Sequence, residues 1–333
     1  MRHGTCGDGR LGRPGGAELR GRFVLPHSIL KVRAHTRPHN RLPFPSIHPP
    51  IDRRKFLKRT VLAGIGAIAA DSVLIAPNFP RVVRRDILLR RWPSRLDGFT
   101  IALLSDFHYD PVFSVHPIRH AVGKVNELQP DLVVLTGDFV TAPTFGSSEK
   151  AADAAEPCAE LLKQLRSPHG LWAVLGNHDA FTDPDRVTAA LQRNGIQVLD
   201  NQSAAIERDG GRFWLGGVDD ILDGTPDLNE TLKPVPPSEP VILLAHEPDF
   251  ADTVASYPVD LQLSGHTHGG QIRLPFVPPL FLPELGRRYL SGLYRIGSLQ
   301  LYTNVGLGTI NIPARLNCPP EITLFTIRRS SGI

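Results

Sequence analysis

The 333-residue chain has 41% hydrophobic residues, an ordinary share for a soluble core, and could hold one large or two small domains. Of its 37 basic and 33 acidic residues, 20 and 5 fall in 1–95, leaving 17 and 28 for 96–333, so the front is about +15 and the rest about −11. This distribution excludes a nucleic-acid binder that carries positive charge on its folded domain, and three cysteines (Cys6, Cys158, Cys318) without CxxC spacing exclude a disulfide framework or a thiolate zinc cluster.

Residues 1–50 are rich in Arg, Pro, Gly and His and show no sustained apolar period. Such a segment buries too little surface to offset chain entropy, and disorder is expected. Asp52-Arg53-Arg54-Lys55-Phe56-Leu57-Lys58-Arg59 follows, and then the mostly apolar run Val61–Ala70. This arrangement resembles a bacterial twin-arginine (Tat) export signal. The resemblance implies export by the Tat translocase to the periplasm or the outer face of the cytoplasmic membrane. Ala67-Ile68-Ala69 has the small-x-small form of a cleavage site, whereas an uncleaved anchor would reach Pro77. Asp71 interrupts the run short of the ~20 residues that span a bilayer. Signals of this kind begin proteins, so the true start codon is expected downstream of Met1. Residues 51–77 are thus read as signal or anchor, 78–95 as a basic connector, and 96–330 as a single α/β domain.

From Phe99 onward, apolar runs rich in Val, Ile and Leu alternate with helical stretches, a pattern that suits strands covered on both faces. Nearly every run ends in a polar cluster. Thr100–Ser105 leads to Asp106-Phe107-His108, and Asp131–Thr136 to Gly137-Asp138. Leu171–Leu175 leads to Gly176-Asn177-His178-Asp179, Val241–Ala245 to His246-Glu247-Pro248, and Leu261–Ser264 to Gly265-His266-Thr267-His268. Helices are expected at about His116–Leu128, Ala151–Arg166 and Pro184–Asn194, the last closed by Gly195. Antiparallel strands are expected within Ile206–Val218 and at Gln271–Leu274. Ligand sites in open α/β sheets collect at the carboxyl ends of strands.

His108, His178, His246, His266 and His268 all fall in these clusters, whereas His116, His120 and His169 lie outside and are read as surface or capped residues. The clusters supply oxygen and nitrogen donors and no thiolate, which suits Mn, Fe or Zn. A binuclear site needs a shared carboxylate and roughly seven protein donors. Asp106, His108, Asp138, Asn177, His246, His266 and His268 meet that number.

The ordered motifs DxH, GD, GNHD, H and GHTH resemble the calcineurin-like metallophosphoesterase family across about Thr100–His268. Gly269-Gly270-Gln271, Ala245-His246-Glu247-Pro248-Asp249, Gly306-Leu307-Gly308-Thr309 and Asn317-Cys318-Pro319-Pro320-Glu321 are similar to its YkuE-type subgroup. The resemblance implies a four-layer α/β/β/α sandwich. It puts Asp106, His108 and His268 on one divalent cation and Asn177, His246 and His266 on another, with Asp138 bridging. His178 is then the histidine beside the leaving group, and Asp179 its orienting partner. The implied reaction is hydrolysis of phosphoesters, more readily diesters, by metal-activated hydroxide. The alternative is a non-catalytic metal-binding scaffold, which would be expected to lose His178 or the bridging ligand. Many relatives carry an acidic residue three positions after the GD aspartate, where this chain has Thr141. Changed hydrogen bonding around the ligands is expected from that substitution, with the metal count unaltered.

Specificity is expected from the loops Tyr109–His116, Pro143–Lys150, Asp219–Pro237 and Pro275–Tyr294. The last is unusually apolar, with Phe276, Val277, Leu280 and Phe281. It reads either as contact with a membrane or a lipid-linked, envelope-derived phosphoester, or as a packed lid.

Overall fold

The apolar runs become strands because each is short, rich in branched side chains and covered on both faces, as two stacked sheets with outer helices require. A computed structural model describes residues 52–143, 147–279 and 281–330. The disorder expected of residues 1–50, and Cys6 with it, lies outside these residues. The strands are β1 (Arg81–Leu89), β2 (Phe99–Leu104), β3 (Leu132–Thr136), β4 (Leu171–Val174), β5 (Ile196–Val198), β6 (Gln202–Arg208), β7 (Gly211–Gly217), β8 (Val241–Leu244), β9 (Leu261–Ser264), β10 (Gly292–Ile296), β11 (Leu299–Thr303) and β12 (Glu321–Arg329).

They form two six-stranded sheets, ordered β1-β12-β2-β3-β4-β5 and β10-β11-β9-β8-β7-β6. The centre of each is parallel: β2, β3, β4 and β5 in the first, β7, β8, β9 and β11 in the second. Ile101, Leu103 and Val134 of the first sheet share one buried cluster with Leu215, Ile242 and Leu263 of the second. The other face of the first sheet is covered by helices Val115–Leu128 and Pro184–Arg193, through Ile118, Val122, Val187 and Leu191. Ala251 and Val254 cover the outer face of the second against Leu243 and Leu301. The result is the four-layer α/β/β/α sandwich.

Three readings are corrected. The basic connector is not a connector: Arg81–Leu89 is an edge strand, parallel to β12 from Arg81↔Glu321 to Leu89↔Arg329. Ile87 and Leu89 point into the core while Arg81, Arg84 and Arg85 stay exposed, and charged side chains on an edge guard it against pairing with other chains. Trp92 and Leu96, just beyond, are fully buried. Ala151–Arg166 is two short helices, Ser148–Ala152 and Ala155–Leu162, separated by a turn at Asp153-Ala154. Gln271–Leu274 is no strand; Ile272 forms only an isolated bridge with Leu316, because Gln271 turns through φ 49°. Ile206–Val218 does contain a hairpin, with Asp209 and Gly210 at positive φ joining β6 to β7.

Helix Arg53–Ala70 runs on through a π-helical segment, Asp71–Ile75, and a 3-10 turn, Ala76–Asn78. The continuous stretch is 26 residues, long and apolar enough to cross a membrane, so Asp71 does not end it. Its length suits an anchor and its composition suits a signal. No residue of Arg53–Ala70 is buried. Cys158 and Cys318 are buried free thiols.

Candidate metal centre

The expected donors all follow the carboxyl ends of β2, β3, β4, β8 and β9, and cross-sheet hydrogen bonds draw those ends together. His246 Nδ1, after β8, donates to the Thr136 carbonyl of β3 at 2.5 Å. The His266 amide, after β9, donates to Asp106 Oδ1 at 2.9 Å. Two groups of buried side chains result, each with its donor atoms within 4.8 Å of one another: Asp106, His108, Asp138 and His268, and Asp138, His246 and His266.

Asp138 belongs to both. Its Oδ2 lies 3.3 Å from His108 Nε2 and 3.2 Å from His246 Nε2. His108 Nε2 and His268 Nε2 approach to 2.9 Å, and His268 Nε2 is 3.4 Å from Asp106 Oδ1. Asn177 opens helix Asn177–Thr182 directly after β4, with its Oδ1 buried.

The backbone carries strain here. Asp106 (φ 52°), His108 (φ 42°), Asp138 (φ 57°), His266 (φ 71°) and His268 (φ 49°) all occupy the left-handed region. For residues with a Cβ this costs of order 1 kcal/mol or more each, and it persists only where the surroundings enforce it. The enforcement is visible in the amides: Asp106 donates to the Gly137 carbonyl, and Phe107 and His108 both donate to the Asp138 carbonyl, at 3.0, 2.8 and 2.9 Å. Gly137, at φ 87°, must be glycine, since a Cβ there would sit 2.5 Å from the Gly176 nitrogen.

The donor set fits divalent cations. Asp106 Oδ2, Asn177 Oδ1 and His246 Nε2 are buried without a hydrogen-bond partner, a costly arrangement unless something positive accepts their lone pairs. Burial raises the Asp106 pKa, with His246 only partly opposing it. Asp138 goes the other way: burial resists its ionisation, but its histidine neighbours, His246 first, hold it well below the carboxylate range. Burial, and then the neighbouring His246, pull His266 down to about 3, and burial with His108 lowers His268, so both imidazoles are neutral near pH 7. His266 Nε2 donates to the Glu284 carbonyl at 2.7 Å, which turns a bare Nδ1 the other way.

His178 packs edge-on to His108, ring centroids 4.8 Å apart. Its Nδ1 accepts the Ala142 amide at 2.8 Å, which leaves the proton on Nε2. Burial lowers its pKa to about 4, so it is a neutral N–H donor over the physiological range. The expectation that Asp179 orients His178 is corrected. The Asp179 carboxylate instead accepts the amides of Gly176, Phe139 and Val140, pinning the GNHD turn to the Asp138 loop. Burial and then Asp138 push its pKa up to about 7.

Arg315 was not anticipated from the sequence, and Asp249 and Thr141 were named there without a partner. Arg315, fully buried, donates to the carbonyls of Val305, Gly306, Gly308 and Cys318. The loop so clamped returns Gly308 N–H to the Asp106 carbonyl at 2.7 Å. Asp249 accepts the amides of Arg287, Arg288 and Tyr289, steadying the segment that holds Glu284. Thr141 Oγ1 lies 3.1 Å from His108 Nδ1, where it can accept that proton and aim Nε2 at the centre. The Pro-Ala-Arg-Leu-Asn context of Arg315 offers no periodic signal; only the density of Gly at 306 and 308 hinted at a close backbone approach.

The calcineurin-like phosphoesterase family matches residues 99–270. The uncharacterized metallophosphoesterase YkuE of Bacillus subtilis is 35% identical over 299 residues, covering 84% of this chain and 99% of that protein. Phosphodiesterase YaeI of Escherichia coli is 32% identical over 285 residues, covering 83% and 99%. A zebrafish (Danio rerio) transmembrane protein with metallophosphoesterase domain is 32% identical over 289 residues, covering 82% of this chain and 63% of its own length. Family and buried Asp/His cluster together point to divalent metal ions and phosphoester hydrolysis, and the chain belongs to the calcineurin-like phosphoesterases.

Proposed function

We propose that the chain is a two-cation phosphodiesterase, with Asp106, His108 and His268 on one cation, Asn177, His246 and His266 on the other, and Asp138 between them. The observation that carries this reading is the single Asp138 oxygen set against both His108 and His246. The diester preference draws on YaeI, whose name states that activity. Cations of the Mn, Fe or Zn kind, when bound, supply Lewis-acid charge to the phosphoryl oxygens and acidify water at the site.

The remaining roles fall to the protein. Asp138, ionised by its histidine neighbours, brings negative charge to the point shared by both groups. His178, with Nδ1 occupied by the Ala142 amide, offers Nε2–H to the departing oxygen. Being neutral, it serves as a hydrogen-bond donor to developing charge, in contrast to an imidazolium that delivers a stored proton. Asp179 keeps the two donor loops in register through Gly176, Phe139 and Val140. All donors and His178 are in place, which favours turnover over a scaffold that only binds metal.

The Arg53-Arg54 pair that opens a largely exposed 26-residue helix supports export by the Tat translocase and residence at the outer face of the membrane. Elemental analysis of protein loaded with Mn, Fe or Zn, paired with hydrolysis of bis-p-nitrophenyl phosphate and p-nitrophenyl phosphate, tests the catalytic reading. One cation per chain, or monoester turnover alone, defeats it. Cell fractionation of an Arg53→Lys/Arg54→Lys double variant tests the address; unchanged export removes the Tat assignment.

A further inference from the structure

Three loops border the donor groups. The first follows His108 through Val112 and Phe113, and the second follows His268 through Phe276 and Phe281. The third, residues 309–315, is tied to the second by the Gln271 side chain, which donates to the carbonyls of Ile310 and Ile312. Each ends in exposed apolar side chains. Val112 is 73% exposed and Phe281 84%; Phe276 stands fully in solvent, and Phe113 and Ile312 are more than half exposed. A lone exposed apolar residue is normal on any protein, but exposed apolar residues on each of three loops that adjoin one set of donors are not. The packed-lid reading of the second loop does not account for Phe276 and Phe281, which cover nothing.

The helix Arg53–Asn78 ends against the same loops. The Arg315 amide, in the third loop, donates to the Ser72 carbonyl at 2.8 Å, and Ser72 and Pro77 are among its few buried residues. Phe79, just past its end, packs edge-on to His120 on the helix that follows the first loop, ring centroids 5.7 Å apart. Beyond the charged start at residues 53–59, the 19 residues 60–78 reach about 28 Å at 1.5 Å per residue, close to the ~30 Å of a bilayer's hydrocarbon core. A bilayer crossed by this helix therefore comes to its interface where the helix is fastened, beside the apolar loop tips. Exposed Arg119, next to His120, and Arg287, in the second loop, add positive charge suited to lipid phosphates.

We propose that the rim of Val112, Phe113, Phe276, Phe281 and Ile312 is a bilayer-docking surface that presents the metal centre to phosphoesters of membrane lipids. The substrate half rests on the phosphodiesterase reading above; the docking half does not.

The full chain, reconstituted in phosphatidylglycerol/phosphatidylcholine vesicles with brominated acyl chains, tests the docking. An indole introduced by Phe276→Trp should be quenched, whereas one introduced by Tyr257→Trp, at the amino end of β9, should not. No quenching at the first position, or equal quenching at both, overturns the surface. For the substrate, turnover of phosphatidyl-p-nitrophenol in vesicles is divided by turnover of bis-p-nitrophenyl phosphate, which has the same leaving group. In a Phe276→Asp/Phe281→Asp variant that ratio should fall about tenfold, since interfacial binding scales with buried apolar area. An unchanged ratio overturns lipid presentation. Absence of turnover on both substrates sinks the phosphodiesterase reading and the lipid-substrate half with it, while the quenching result still decides the surface.

Discussion

The two donor groups that share Asp138 are built differently. In the first, Asp106, His108 and His268 all sit at positive φ, and the clamp of Arg315 on the 305–308 loop stands behind Asp106. In the second, apart from the shared Asp138, His266 alone is in that region. Asn177 is an ordinary first residue of a helix, and the rings of His246 and His266 are aimed by carbonyls of Thr136 and Glu284. One group is shaped by enforced backbone, the other by side-chain hydrogen bonds. The first should therefore respond to changes far behind it, and the second mainly to changes it touches directly.

Asp138→Asn erases the contrast, because it removes the charge common to both. A loss of about 10³-fold in diester turnover is expected, with metal content reduced in both groups at once. Stepwise loss on titration with a chelator, one cation staying as tight as in the parent, would show that Asp138 serves one group only. His178→Ala leaves both groups intact and should cost about 10²-fold in kcat with little change in metal content. The pH profile gives the sign. A histidine whose folded pKa is lowered to about 4 is neutral above that value, so its contribution persists from about pH 5 upward and is lost as pH falls through 4. A limb near pH 6.5 that vanishes in His178→Ala would contradict this.

How far the sequence foretold this depends on the kind of contact. The donors were legible because each closes an apolar run, and a strand that stops at a polar cluster can only present it at the sheet's end. The strand order, with β12 inserted between β1 and β2, was not. It depends on a pairing between residues some 240 positions apart in chain, Arg81↔Glu321, and the arginines of β1 read as a connector because an edge strand hides only alternate side chains. Asp179 misled for a related reason. Adjacency to His178 suggested a side-chain partner, but one residue along a helix turns the carboxylate about 100° away, toward the amides of Phe139 and Val140. Arg315 had no local signal, since its partners are carbonyls and carbonyls have no residue identity.

Arg315→Met tests whether the first group depends on distant support. It strands several buried carbonyls at once, and a loss of about 3 kcal/mol in folding stability of the metal-free protein is expected by urea denaturation. In the metal-loaded protein the sharper readout is which cation leaves first. The Asp106 group should weaken before the His246 group, since Gly308 reaches the Asp106 carbonyl and, among the described residues, nothing comparable ties the clamp to His246. Equal weakening of the two would reduce Arg315 to general stability.

Thr141→Val should have the smallest effect and is the most selective. Valine keeps the volume but removes the oxygen 3.1 Å from His108 Nδ1. His108 would keep its position through its own amide bond to the Asp138 carbonyl, yet lose the acceptor that favours the tautomer with a bare Nε2. Affinity at the Asp106 group should fall about tenfold while that at the His246 group holds. Thr141→Asp, which supplies the acid that the family resemblance leads one to expect at this position, should reverse the change, because a carboxylate accepts the same proton more strongly than a hydroxyl does. If Val and Asp variants behave alike, the hydroxyl does not aim His108, and its tautomer is set from the Asp138 side, whose Oδ2 lies 3.3 Å from Nε2.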